Sequence, residues 1–224
     1  MDSGLPVAGL DAPRPKPRFA IAAPLGAAIP GEAELVDVWL VERLPRWRVR
    51  EALETRMPPA HILVDLQDTW LGEPALPGRV TASVFRATLP AGMADADTIA
   101  AAAAALLAAP ALPRERRKGD ATIAYDLRPF LDGVDVRVAS GGAVEVRMTL
   151  RHDPEKGIGR PDEVLAALGE LVGGAKLVPA TLVRERLVLA EPQPDEAPKR
   201  VPGRRPLDRG AGTGPERHPR RGGR

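Results

Sequence analysis

Residues 116–130 read RRKGDATIAYDLRPF. Lys118-Gly119-Asp120 is a turn signal between two short strand-like runs. The second run, Ala121 to Asp126, turns Ala121, Ile123 and Tyr125 toward one face. It ends in Asp126-Leu127-Arg128-Pro129, where Pro129 biases Arg128 to an extended backbone. The stretch is therefore a hairpin with a basic rim, set between apolar β segments. Arg116, Arg117, Lys118 and Arg128 read as one basic docking surface rather than a reaction centre.

Beyond the hairpin, Val134 to Ala139 and Ala143 to Leu150 are strand patterns joined by the short Gly-rich connection Ser140-Gly141-Gly142. Arg151 to Gly159 is a polar loop. Pro161-Asp162-Glu163 opens a helix, with Pro early and acids in the first turn, and Val164, Leu165, Leu168 and Leu171 give it an apolar face. Leu177 to Leu189 is the last strand. Ahead of the hairpin, Arg79 to Leu89 alternates as a strand. A helix follows from an Asp95 or Asp97 cap to about Ala109. The second half thus reads strand, helix, hairpin, two strands, helix, strand.

Gly72 to Gly78 holds two prolines and marks an internal boundary. Before it, Phe19 to Ala23 and His61 to Trp70 read as strands, and Pro45 to Arg56 as a helix. Glu32 to Val41 is apolar on both faces, as in a strand buried on two sides, except for Asp37. The fold class expected is α+β, built of two ferredoxin-like β-α-β subdomains. Residues 1–72 form the first, lacking its opening strand and helix, and 79–190 form the second. Residues 191–224 lose all apolar periodicity to Pro, Gly and Arg and read as a disordered basic tail.

The chain has 224 residues and a formal net charge of +2. Nine Lys/Arg against five Asp/Glu lie from Glu191 onward, so residues 1–190 carry −2. The basic balance belongs to the tail and does not describe a nucleic-acid-binding core. With no cysteine, the chain cannot form disulfides, thiolate metal sites, or an iron–sulfur cluster on its own thiolates. That absence fits a cytoplasmic location. Three histidines argue against a multi-histidine metal site. No apolar run approaches the roughly 18 residues that span a bilayer.

No catalytic constellation stands out, and no cofactor is expected. His152, beside Asp153, is the best candidate base, and a solvated loop histidine is the preferred reading. Gly157 to Pro161 precedes a helix and could cradle an anion with Arg160. It lacks the Lys-Ser/Thr pair of a P-loop, and Asp162 and Glu163 would repel phosphate. Scarce aromatics weaken any base-stacking role.

Four stretches taken in order carry a likeness. Ser3-Gly4-Leu5-Pro6-Val7 leads into Pro17-Arg18-Phe19-Ala20 and Ala23-Pro24-Leu25, followed by Gly31-Glu32-Ala33-Glu34-Leu35-Val36-Asp37. Then come Arg117-Lys118-Gly119 through Asp126-Leu127-Arg128-Pro129, and Gly159-Arg160-Pro161-Asp162-Glu163-Val164-Leu165. Together, across residues 3–189, they resemble the radical SAM-linked protein family (domain of unknown function 2344), a bacterial family of unassigned function. Its members occur fused to a radical SAM protein or encoded beside one. The resemblance implies a non-enzymatic accessory or substrate-recognition domain working with a radical SAM protein, with Arg128 and Arg160 as polar contacts. A stand-alone RNA-binding module, using the hairpin and tail, is the alternative. Relatives usually begin with a strand and a basic helix before the Gly-Leu-Pro segment, so the resemblance also implies a shortened N-terminus or a mis-set start. Where they tend to carry an Asn-Pro-His-Pro-like loop, Ala12-Pro13-Arg14-Pro15 stands here, and no histidine role carries over.

Overall fold

The period-2 patterns of the second half fold into one antiparallel sheet. A computed structural model describes residues 4–11, 13–69, 72–119 and 121–191, and only the backbone of residues 116–118. Its strands begin with β1 (Phe19–Ile21) and β2 (Val36–Val38), followed by helix α1 (Arg46–Glu54). Next come β3 (Val80–Leu89), α2 (Ala96–Ala108), β4 (Pro113–Lys118) and β5 (Ala121–Asp126). The chain continues through β6 (Leu131–Val138), β7 (Val144–Asp153), β8 (Gly157–Ile158), α3 (Pro161–Leu171) and β9 (Thr181–Leu189). The main sheet runs β6-β7-β3-β9, with β8 on the end of β7. Every pairing in it is antiparallel. The β4–β5 hairpin is a separate ladder inserted between α2 and β6.

Alternation explains the burial. Phe85, Ala87 and Leu89 of β3 and Val144, Val146, Met148 and Leu150 of β7 enter the core, where the two longer helices cover them. Ile99, Ala102, Ala103 and Leu106 of α2 recur at helical spacing and are buried, the alanines allowing close approach to the sheet. Asp95 caps α2 by accepting the Thr98 N–H at 2.9 Å, as the sequence suggests. In α3, Pro161 occupies the first turn with Asp162 and Glu163, and Val164, Leu165, Ala167 and Leu168 are buried. Gly169 lies so close to the Ala175 carbonyl that a Cβ could not be accommodated.

The first half departs from expectation. Glu32 to Val41 forms only the short β2, laddered with β1. His61 to Trp70, read as a strand, has no regular structure over 61–69. Among the described residues none forms a ladder with it, Ile62 is 80% exposed, and Asp65 turns onto the N–H of Leu66 and the amide of Gln67. No residue of α1 is buried. The β-α-β arrangement expected of 1–72 is therefore absent from its described residues. Instead the N-terminal segment lies along β9. Gly31 bridges Arg184 in parallel, and Ala22 and Ala23 pack with Leu187. Asp37, the anomaly in its run, accepts the Leu76 N–H at 2.9 Å. The tail beyond Glu191 lies outside the described residues.

Candidate functional site

The inserted hairpin begins from a turn that demands a left-handed residue, and Gly119 supplies it with φ +62°. Its base pairs Pro113 with Asp126 and its tip pairs Lys118 with Ala121. Five residues of extended chain set the two ends about 17 Å apart. Arg116, Arg117 and Lys118 are thus at the tip, their side chains outside the described residues, while Arg128 follows the base. The backbone does not gather them at one end of the hairpin. Arg114, near the base, is held by Glu170 of α3 at 2.8 Å.

Asp126 and Arg128 form a clamp where the insertion rejoins the domain. The Asp126 carboxylate accepts the N–H groups of Leu112 (2.7 Å) and Arg128 (3.0 Å). The Arg128 guanidinium donates to the carbonyls of Leu131 (2.7 Å) and Leu107 (2.8 Å). Leu107 is in the last turn of α2, where carbonyls lack helical partners and a cation is favoured. Leu127 between them is fully buried. The motif therefore ties the end of α2 to the start of β6. Arg160 precedes α3 and makes a two-pronged contact with Asp162 at 3.1 and 2.7 Å. That hydrogen bond raises its already high pKa, and the pairing leaves the helix start with little spare positive charge for an anion.

Two further polar groups were not legible as partners. The register slips between Val84 and Phe85, which face Arg186 and Arg184 and leave Glu185 as the extra residue of a bulge. Arg184, only 2% exposed, donates to Glu34 and to the carbonyls of Ala23 (2.9 Å) and Pro24 (3.1 Å). Glu185 receives Arg147 at 2.7 Å and approaches Arg86 at 3.0 Å. The Arg147 hydrogen bond holds the Glu185 carboxyl below the usual carboxylate range.

His152, expected to be a solvated loop residue, is half-buried because β7 continues to Asp153. Its Nε2 lies 2.8 Å from the hydroxyl of Ser83, which is fully buried. Burial first, and the Arg184 charge second, push the His152 pKa down. The neutral imidazole is thereby favoured. A serine sealed from solvent has no approach for a substrate, so the pair reads as a satisfied interior hydrogen bond.

An open cleft of about 540 Å³ is lined by Arg43, Leu44, Pro45, Arg46, Asp65, Gln67 and Asp68. Its two carboxylates are already paired: Arg43 meets Asp68 at 2.6 Å, and Arg50 lies 3.8 Å from Asp65. Among the described residues no group of three or more His, Asp or Glu side chains could hold a metal ion, and no helix is long and apolar enough to cross a membrane.

Comparison with curated proteins finds no match, and neither does comparison with solved structures. A family model does match, over residues 12–161. That span contains β1 to β8, the inserted hairpin, the Asp126–Arg128 clamp and Arg160. The chain belongs to the bacterial family described as "Uncharacterized protein conserved in bacteria (DUF2344)".

Proposed function

We propose that the protein is a non-enzymatic accessory or substrate-recognition domain that acts with a radical SAM protein. The observation that carries this reading is a cysteine-free sequence within a family whose resemblance, through the Gly-Leu-Pro, Asp-Leu-Arg-Pro and Gly-Arg-Pro-Asp segments, implies a radical SAM partner. Radical SAM chemistry needs an iron–sulfur cluster held by cysteine thiolates, so the partner would supply the cluster and this chain the positioning. The strand order β6-β7-β3-β9 with α2 and α3 inserted supports reading the second half as a ferredoxin-like unit carrying the hairpin as an elaboration. Arg116, Arg117 and Lys118 at the hairpin tip are the proposed contacts. Arg128 and Arg160 act in this reading by fixing the base of the hairpin and the start of α3. Co-purification with the radical SAM protein encoded nearby tests the reading. A complex at micromolar concentration is expected, and no complex at that concentration overturns it.

The separate β4–β5 ladder favours a second reading. A two-stranded arm with Arg116, Arg117 and Lys118 at its tip suits the phosphate backbone of RNA. Binding of a structured RNA should then fall steeply with salt and weaken when the three tip residues are replaced by Ser. Binding unchanged by those substitutions and by removal of 191–224 refutes it.

A further inference from the structure

We infer that the outer face of the β1–β2 ladder docks an amphipathic helix of a partner protein, one whose apolar stripe is flanked by Asp and Glu. The inference takes the existence of a partner from the accessory reading and assigns its docking surface. Phe19 stands opposite Val38, and Ile21 opposite Val36, so the four share one face of the ladder. Val7 bridges Leu40 beyond them and extends the strip to three cross-strand pairs. Phe19, Ile21, Val36 and Val38 are 54%, 53%, 50% and 45% exposed. The opposite face is already in use. It carries Ala20 and Asp37, and Asp37 accepts the Leu76 N–H. A one-sided ladder should put its polar residues toward water. Here the order is reversed, and a contiguous exposed apolar patch of this kind marks an interaction site.

The dimensions and charges select the occupant. From Val36 to Leu40 the strip is about 13 Å long, which matches about two and a half turns of α-helix. A helix laid along it would seat residues at i, i+3, i+4 and i+7. The approach to β1 carries exposed Arg14 and Lys16, and residues 13–31 contain no Asp or Glu, while Arg18 is taken up over the Trp39 ring on the opposite face. An acidic flank on the incoming helix would meet Arg14 and Lys16. The chain's own residues 192–224 hold few apolar side chains and no helical spacing of them, so they do not fit.

The test uses the full chain and a synthetic Leu-striped helical peptide flanked by Glu, with a Lys-flanked twin as control. Backbone hydrogen exchange should slow at Phe19–Ile21 and Val36–Val38 when the Glu peptide is added. The Lys peptide should bind about tenfold more weakly. Phe19→Thr/Val38→Thr, a pair of surface changes that keep strand propensity, should weaken the Glu peptide at least tenfold while the thermal transition stays in place. Protection of these amides by self-association in sedimentation overturns the inference. So does tighter binding to mixed phosphatidylcholine–phosphatidylserine vesicles, or the absence of peptide protection. Repeating the co-purification with the double variant separates the two readings. A radical SAM protein retained equally by wild type and variant removes the docking surface and leaves the accessory reading standing. Peptide protection without any radical SAM complex does the reverse.

Discussion

Arg128 shows how one side chain can hold a junction. Its guanidinium bridges the carbonyl of Leu107 at the end of α2 and that of Leu131 at the start of β6. Arg128→Met keeps much of the apolar stem and removes both charged hydrogen bonds. Unfolding free energy in urea is expected to fall by about 2–3 kcal/mol. A loss under 0.5 kcal/mol would show that the carbonyls find water instead. His152 gives a pH signature with a defined sign. Burial and Arg184 hold its folded pKa below the unfolded value, so the folded state binds the proton less readily. Its contribution is fully present above about pH 6.5, the unfolded value, and is lost as pH falls from there toward the depressed folded value. Urea midpoints measured between pH 7.5 and 5 should decline for wild type, and more shallowly for His152→Gln. The sequence pointed to Arg128 but read it as extended before Pro129, whereas Arg128–Phe130 form a 3-10 turn, and a docking residue and a helix-end clamp look alike until the residue 21 positions upstream is placed beside it.

At the scale of elements, α3 depends on one missing atom. Gly169 is buried in the last turns of α3 against the Ala175 carbonyl, with the chain turning back through Gly173 and Gly174 at φ +89° and +78°. Gly169→Ala would ordinarily favour a helix. Here the added methyl meets backbone, which cannot rotate aside. The variant is expected to lose about 1–3 kcal/mol, whereas Ala→Gly at exposed Ala166 loses about 1 kcal/mol from propensity alone. A gain in stability for Gly169→Ala would mean that the loop at Ala175 shifts freely. The regular elements of the second half were legible because alternation and helical spacing are local. The fate of 61–69 was not, because whether an alternating run becomes a strand is decided by a neighbouring edge that no local pattern reveals.

Across the whole molecule, the N-terminal segment and β9 complete one another. Arg184 and Leu187 of β9 are covered by residues 22–34, and the N–H groups of Glu32 and Arg184 bond across the join at 2.9 Å. A fragment spanning 79–191 would leave a buried-type arginine without its carboxylate and an unpaired sheet edge. Such a fragment is expected to aggregate or to melt well below the full chain, read by calorimetry and sedimentation. A soluble monomer with an unchanged transition would make the second half independent. The Arg184–Glu34 pair also sets a clock on synthesis. Its members are 150 positions apart, so at ~5–20 residues per second the ribosome delivers the arginine ~8–30 s after the glutamate. Throughout that interval residues 22–34 lack the β9 surface they pack on, and Ala22, Ala23 and Leu35 stand open as a natural handhold for a chaperone.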